Sequence, residues 1–276
     1  MKPFELLTTD MDDTLLDSEK RLSDENRNAI NRALEQGKIV VLATGRCLCE
    51  LEEYLPQFPR LRYIIAMSGA YLYDLKEEKV LYRKSLPKEL VQRLERYSRE
   101  NDIMTQVLSG KDAFVRSWQV HRMPDFQMAH YQAHFEHACA KTDDLGAVLA
   151  ERDWTAEKIN LYHRTPEERE QTMELLKGEP VELAFAESTG LEISPLNVDK
   201  GTGLEQLCAV LGIAIEQTIS VGDGFNDVPI FRKAGLSVAV RNAKDAVKEQ
   251  VDVIVPSADE NGVKEAVEWF LLPRPD

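Results

Sequence analysis

Asp10-Met11-Asp12-Asp13-Thr14-Leu15 stands directly after a short apolar run, Phe4–Leu7. In an open parallel sheet the carboxyl end of a buried strand is where ligands bind. At i and i+2 of an extended segment, Asp10 and Asp12 would project side by side, and two such carboxylates repel unless a cation or a shared proton intervenes. A hard divalent ion resolves that conflict. Alone, an Asp-x-Asp in this place reads first as a helix cap or a solvated turn. Three further polar clusters change the weighing.

The second acidic cluster, Gly222-Asp223-Gly224-Phe225-Asn226-Asp227, also follows an apolar run and opens a helix. It adds oxygen ligands of the kind Mg²⁺ prefers. Thr44-Gly45-Arg46 marks a third strand end, and Lys200-Gly201 a helix start. A hydroxyl, free backbone N–H groups and a cation are what a phosphoryl group needs to be held.

These clusters require a scaffold that brings strand ends together. Phe4–Leu7, Ile39–Ala43, Tyr63–Met67 and Ile219–Val221 are unalternating apolar runs, as expected of strands buried on both faces of a parallel sheet. Asp24–Gln36 carries Ala29, Ile30, Ala33 and Leu34 at helical spacing, with Gly37 as a left-handed stop. Helices over Gly203–Leu211, Pro229–Lys233 and Val263–Leu271, with runs at Val238–Val240 and Val251–Val255, repeat the theme. The predicted fold class is α/β, a doubly wound, mostly parallel, Rossmann-like sheet built from residues 1–83 and 188–276. Residues 84–187 read as an inserted α+β cap: a charged helix Lys88–Glu100, strands Met104–Leu108, Ala113–Trp118, Lys158–His163 and Val181–Ala186, and a helix Pro166–Lys177.

The stretches Asp10–Leu15, Leu42–Arg46, Val198–Gly203 and Val221–Asp227 resemble, in order, the four motifs of the haloacid dehalogenase-like phosphatase superfamily. Thr44 follows Asp12 closely, whereas more than half of the chain separates Thr44 from Lys200. An insert between motifs two and three resembles the Cof-type members. The resemblance implies that Asp10 is the nucleophile and Asp12 the general acid and then base. It implies that Thr44 and Lys200 bind the transferring phosphoryl group, and that Mg²⁺ is held by Asp10, Asp223 and the Asp12 main chain. By the same resemblance Asn226 contacts the phosphoryl side, Asp227 is a supporting acid behind the metal ligands, and Gly45 and Arg46 begin the substrate side. Asp13 stands where relatives often have Gly, and Ser68-Gly69-Ala70 where they frequently have Asn-Gly-Ala.

The expected reaction is Mg²⁺-dependent hydrolysis of a small phosphate monoester, such as a sugar phosphate, nucleotide or phosphorylated cofactor, through an aspartyl phosphate. A sugar phosphomutase or a silent sugar-phosphate-binding regulator are the alternatives. The net charge of −14, from 34 Lys+Arg against 48 Asp+Glu, repels nucleic acid and anionic membranes, so neither is an expected partner. Glu5 and Asp10 interrupt any signal-peptide core, no uncharged run reaches the ~20 residues of a spanning helix, and the expectation is a cytoplasmic monomer or homodimer. Cys47, Cys49, Cys139 and Cys208 are too sparse for a disulfide scaffold. His130, His134 and His137 share a helical face but lack an evident partner ligand, and read as solvated residues rather than a zinc site. Arg116, Trp118, His121 and Arg122 read as ordinary strand-edge alternation, and Lys88–Glu100 and Glu167–Glu170 as solvated faces.

Overall fold

A computed structural model of the chain describes residues 3–151 and 154–272. The chain divides into two compact units, one comprising Met1–Gly45, Glu53–Tyr82 and Asp199–Asp276, the other Arg46–Glu52 and Arg83–Val198.

An eight-stranded sheet organises the first unit. From one edge its order is Val253–Val255, Leu236–Val240, Thr218–Gly222, Leu6–Thr9, Ile39–Ala43, Tyr63–Ala66, Tyr71–Asp74 and Lys79–Arg83. The strands from Val253–Val255 through Tyr63–Ala66 run parallel, and Tyr71–Asp74 turns back antiparallel on Tyr63–Ala66. The chain winds outward from Leu6–Thr9 in one direction, and Thr218–Gly222 begins the winding in the other. The strand order therefore reverses between these two neighbours, which is where a crevice opens in a doubly wound sheet. Leu6, Val41, Ile65, Leu204, Leu207, Ile230 and Phe231 fill the core around it.

The helix Asp24–Glu35 is capped by Ser23, whose hydroxyl accepts from the Asn26 N–H at 3.2 Å. Ala29, Ile30, Ala33 and Leu34 are buried on its inner stripe. The buried Asn26 amide donates to the Leu15 carbonyl (3.1 Å) and accepts from the Lys264 N–H (2.9 Å), pinning the loop that follows the first strand.

The second unit has its own six-stranded sheet, ordered Val181–Ala186, Gly190–Pro195, Lys158–Tyr162, Met104–Ser109, Asp112–Arg116 and Ala140–Thr142. Gly190–Pro195 pairs with strands on both sides, so this unit runs beyond residue 187 to Val198. Lys88–Glu100 is not simply a solvated face: Leu90, Val91, Leu94 and Glu95 are buried. Glu95 accepts from the fully buried Arg116 guanidinium at 2.8 Å, so Arg116 is an interior cation rather than an edge residue. The strand ends there, and Ser117–Val120 is a helical turn.

His163 is fully buried in the same unit. Its Nδ1 donates to the Thr189 carbonyl (2.9 Å) and its Nε2 meets the Thr172 hydroxyl (2.8 Å). Burial holds its pKa below the ordinary 6.5. The unfolded chain thus binds this proton more readily, and stability is lost as pH falls from about 6.5 through the folded value. Urea midpoints measured from pH 8 to pH 5 should decline, and His163→Gln should flatten that part of the decline. An unchanged slope in the variant would assign the decline to other groups.

Candidate active site

Asp10 closes the first strand, with its N–H donating to the Val221 carbonyl (2.9 Å) across the reversal point. The chain then makes a wide turn, Met11–Leu15, closed by Leu16 N–H to the Met11 carbonyl at 2.8 Å. The segment is therefore a turn rather than the extended run expected. Asp10 is buried, whereas the Asp12 side chain is about a third exposed, 3.6 Å from Lys20 Nζ. Asp13 takes a left-handed conformation (φ 59°), a place that glycine adopts without steric cost. Lys20 Nζ donates to its carboxylate (3.0 Å) and Asn242 Nδ2 to its carbonyl (2.7 Å), holding the turn from two sides.

Across the reversal point, Gly222 ends its strand and Asp227 opens the next helical turn. The Asp227 carboxylate packs so closely on Gly222 that a Cβ there would lie 2.4 Å from it. Asp227 Oδ2 accepts from the N–H groups of Asp223 and Gly224, both at 3.0 Å, fixing the loop that carries Asp223. Thr14 Oγ1 donates to Asp223 Oδ1 at 3.0 Å, tying the two acidic loops together. Asn226 lies on the exposed side of this turn.

Lys200 is the first residue of the helix Lys200–Leu211, whose N-cap Asp199 accepts from the Thr202 N–H at 2.7 Å. Its buried ammonium donates to Asp10 Oδ1 (2.5 Å) and Asp227 Oδ1 (2.7 Å). Asp10, Asp223 and Asp227 bring carboxylate oxygens within 4.8 Å of one another. The Asp12 carboxylate is not among them, and neither is His130, His134 or His137; His130 lies in the turn Ala129–Tyr131, outside the helix Gln132–Ala138 that carries the other two, so the three do not share one helix as expected.

Thr44 is buried at the end of Ile39–Ala43, the neighbour of the Asp10 strand. Its N–H donates to the Ile65 carbonyl (2.8 Å), and its carbonyl accepts from the Ser68 N–H (3.0 Å). Gly45 is half-buried, and Arg46 Nη1 reaches the Glu50 carbonyl at 3.4 Å. Met67, Ser68 and Gly69 all have positive φ, so Ser68 occupies a left-handed place that asparagine adopts more readily. Gly69 (φ 99°) has no room for a side chain, since a Cβ would sit 2.0 Å from the Asp199 carbonyl oxygen. Gly69→Ala should therefore cost roughly 2–4 kcal/mol from strain and overpacking. It should also reduce turnover by displacing Asp199 and Lys200. Denaturant melts and rates on the purified variant check this, and wild-type stability would refute the packing argument.

Three carboxylates share one ammonium, and burial makes that imbalance costly. Burial, with Asp227, Asp223 and Asp12, pushes the Asp10 pKa well up against the opposing pull of Lys200. Burial and Asp227 push Asp223 up to about 6. Burial opposes the Lys200 charge, yet Asp10 and Asp227 outweigh it and hold the ammonium. An oxygen-only donor set short of positive charge suits a hard divalent cation. Asp10 and Asp223 are the side chains placed to hold one. Sequence reasoning gave no role to Thr14, Lys20 or Asn242, and named Gly69 only as part of Ser68-Gly69-Ala70. Thr14 lies inside the first motif and is legible there as a hydroxyl within one turn of Asp10, whereas nothing local marks Asn242.

A family model described as haloacid dehalogenase-like hydrolase matches residues 7–267. The 5-amino-6-(5-phospho-D-ribitylamino)uracil phosphatase YcsE of Bacillus subtilis is 27% identical over 276 residues, covering 98% of this chain and 96% of that protein. Phosphatase YwpJ of the same organism is 23% identical, covering 97% of this chain and 100% of its own. Among solved structures, a haloacid dehalogenase-like hydrolase from Bacteroides thetaiotaomicron is 26% identical with a TM-score of 0.83, covering 96% of this chain and 98% of that one. Another from B. subtilis, at 22% identity, superimposes with a TM-score of 0.85 over 97% of this chain and 100% of that one.

Proposed function

Because the chain belongs to the haloacid dehalogenase-like hydrolases and is a phosphatase, we propose that it hydrolyses a small phosphate monoester by way of an aspartyl phosphate on Asp10. The observation that carries this reading is the buried Asp10 carboxylate, 2.5 Å from Lys200 Nζ at the point where the strand order reverses. An anionic ester approaches an anionic nucleophile only where positive charge screens both, and the Lys200 ammonium is fixed against Asp10 for that purpose. Thr44, on the adjoining strand end, is assigned to the phosphoryl oxygens together with Lys200. Gly45, Arg46 and Asn226 are assigned to the substrate side in this reading.

In the first step an Asp10 oxygen bonds to phosphorus as the ester P–O bond breaks. Asp12, outside the carboxylate cluster and more exposed, gives its proton to the departing alkoxide. In the second, Asp12 takes a proton from the water that attacks the same phosphorus, and Asp10 is released. Asp10, Asp223 and the Asp12 main chain would hold Mg²⁺, which would supply charge neutralisation at the phosphoryl oxygens. Asp227 fixes Asp223 and Lys200 rather than reacting. Substrate discrimination among sugar phosphates, nucleotides and phosphorylated cofactors is assigned to the second unit, inserted in sequence between Thr44 and Lys200. Among the described residues no helix is long and apolar enough to cross a membrane, in keeping with the cytoplasmic setting we assign.

Chelation followed by Mg²⁺ titration tests the metal. Phosphate release from an aryl phosphate should vanish with chelator and return with Mg²⁺. At about a hundredfold excess over its dissociation constant Mg²⁺ should also stabilise the fold by roughly 2.7 kcal/mol. Asp223→Asn should lose that stabilisation. Full turnover in chelator, with no thermal response to Mg²⁺, would overturn the assignment.

A further inference from the structure

The second unit holds a pair of thiols that the phosphatase reaction does not use. Cys47 and Cys49 flank Leu48 where the chain enters the short helix Leu48–Leu51, and their sulfurs lie 3.0 Å apart. Two free thiols so close need an approach of only about 1 Å to reach the S–S bond length near 2.05 Å. The surrounding backbone holds them there. Cys47 N–H donates to Glu50 Oε2 (2.9 Å), and Cys49 N–H to the Lys111 carbonyl (2.9 Å). Glu50 is itself buried and receives Gln106 Nε2 at 2.9 Å.

The two residues differ in access, with Cys47 buried and Cys49 half-buried. Cys139, in the same unit, is buried with its sulfur 3.6 Å from Gln106 Nε2, and Cys208 is buried in the other unit. The group does not read as a soft-metal site, because among the described residues only the three aspartates bring enough ligand atoms together. A paired, asymmetrically exposed dithiol is instead the arrangement of an attacking and a resolving cysteine.

We infer that Cys47 and Cys49 form a reversible thiol–disulfide site, oxidised by hydrogen peroxide, in which Cys49 reacts first and Cys47 resolves. The Cys49 sulfur attacks the peroxide, its O–O bond breaks, and Cys49 becomes a sulfenic acid as the departing oxygen leaves as water. The Cys47 sulfur then attacks the Cys49 sulfur, the S–O bond breaks, and the second water carries off the Cys47 proton. Overall the dithiol gives up two electrons and two protons, and one peroxide becomes two waters. Burial, with the Glu50 charge beside it, pushes the Cys47 thiol up, consistent with its acting second. Ring closure across a single intervening residue strains the disulfide, so dithiothreitol should reduce it readily.

The test treats the full-length protein with hydrogen peroxide and reads intact mass and the alkylation of each cysteine. The expected product lacks the two hydrogens of the dithiol, maps to Cys47–Cys49, leaves Cys139 and Cys208 alkylatable, and reverts with dithiothreitol. Cys47→Ser should halt at a Cys49 sulfenic acid trapped by dimedone, whereas Cys139→Ser should oxidise like the wild type. Four cysteines still alkylatable after peroxide, a disulfide mapped to Cys139, or dimedone capture on Cys47 in Cys49→Ser at the rate seen for Cys49 would each overturn the assignment.

Discussion

Asp10→Asn should reduce phosphate release by roughly 10⁴-fold or more, the scale on which a covalent nucleophile is missed. An amide oxygen still accepts from Lys200, but it does not form the aspartyl phosphate. The fold should survive, since the Asp10 main chain keeps its bonds to Val221 and Thr9. The substitution also removes one of three crowded carboxylates, so the melting temperature should hold or rise. Parallel thermal melts and phosphate assays separate the two effects. A folded Asp10→Asn protein within tenfold of wild-type turnover would remove Asp10 from the chemistry.

Lys200→Met should act on both stability and rate. It leaves Asp10 and Asp227, which shared the ammonium at 2.5 and 2.7 Å, facing each other without a counter-charge. Removing one partner from a buried ionic cluster costs about 3–5 kcal/mol, here read as a fall of roughly 10 °C in melting temperature without Mg²⁺. Loss of the fixed positive charge should lower turnover by roughly 10²–10³-fold. Combining Lys200→Met with Asp10→Asn should recover part of the stability, because the uncompensated charge is then smaller. Strict additivity of the two changes would show that Lys200 and Asp10 are not coupled.

What the sequence disclosed follows from how buried parallel strands are written. The Asp10, Thr44 and Asp223 strand ends were legible because unalternating apolar runs stop abruptly at polar residues, and Lys200 because it opens a helix. The hairpin Tyr71–Asp74 and Lys79–Arg83 escaped notice, since Lys79–Arg83 is largely exposed and its short run Val80-Leu81-Tyr82 is hemmed in by Lys79 and Arg83. The conformation of the Asp10–Leu16 turn was equally hidden, being set by Asn26, Asn242 and Lys20 from elsewhere in the chain. Arg116 looked like an edge residue, and only its partner Glu95, on a helix that reads as solvated, makes its burial intelligible.

The strand Leu6–Thr9 pairs on one side with Ile39–Ala43, close by in sequence, and on the other with Thr218–Gly222, far along the chain. A growing chain can pair it with Ile39–Ala43 first, but its other edge stays open until Thr218–Gly222 has been made. Such an edge invites pairing with foreign strands, and long-range parallel pairing is slow to close it. The nascent protein meanwhile carries Asp10 without Lys200, Asp223 or Asp227. The carboxylate–ammonium cluster thus assembles only once Lys200, Asp223 and Asp227 have followed Asp10, and the same delay is an interval in which the open strand edge is exposed to aggregation.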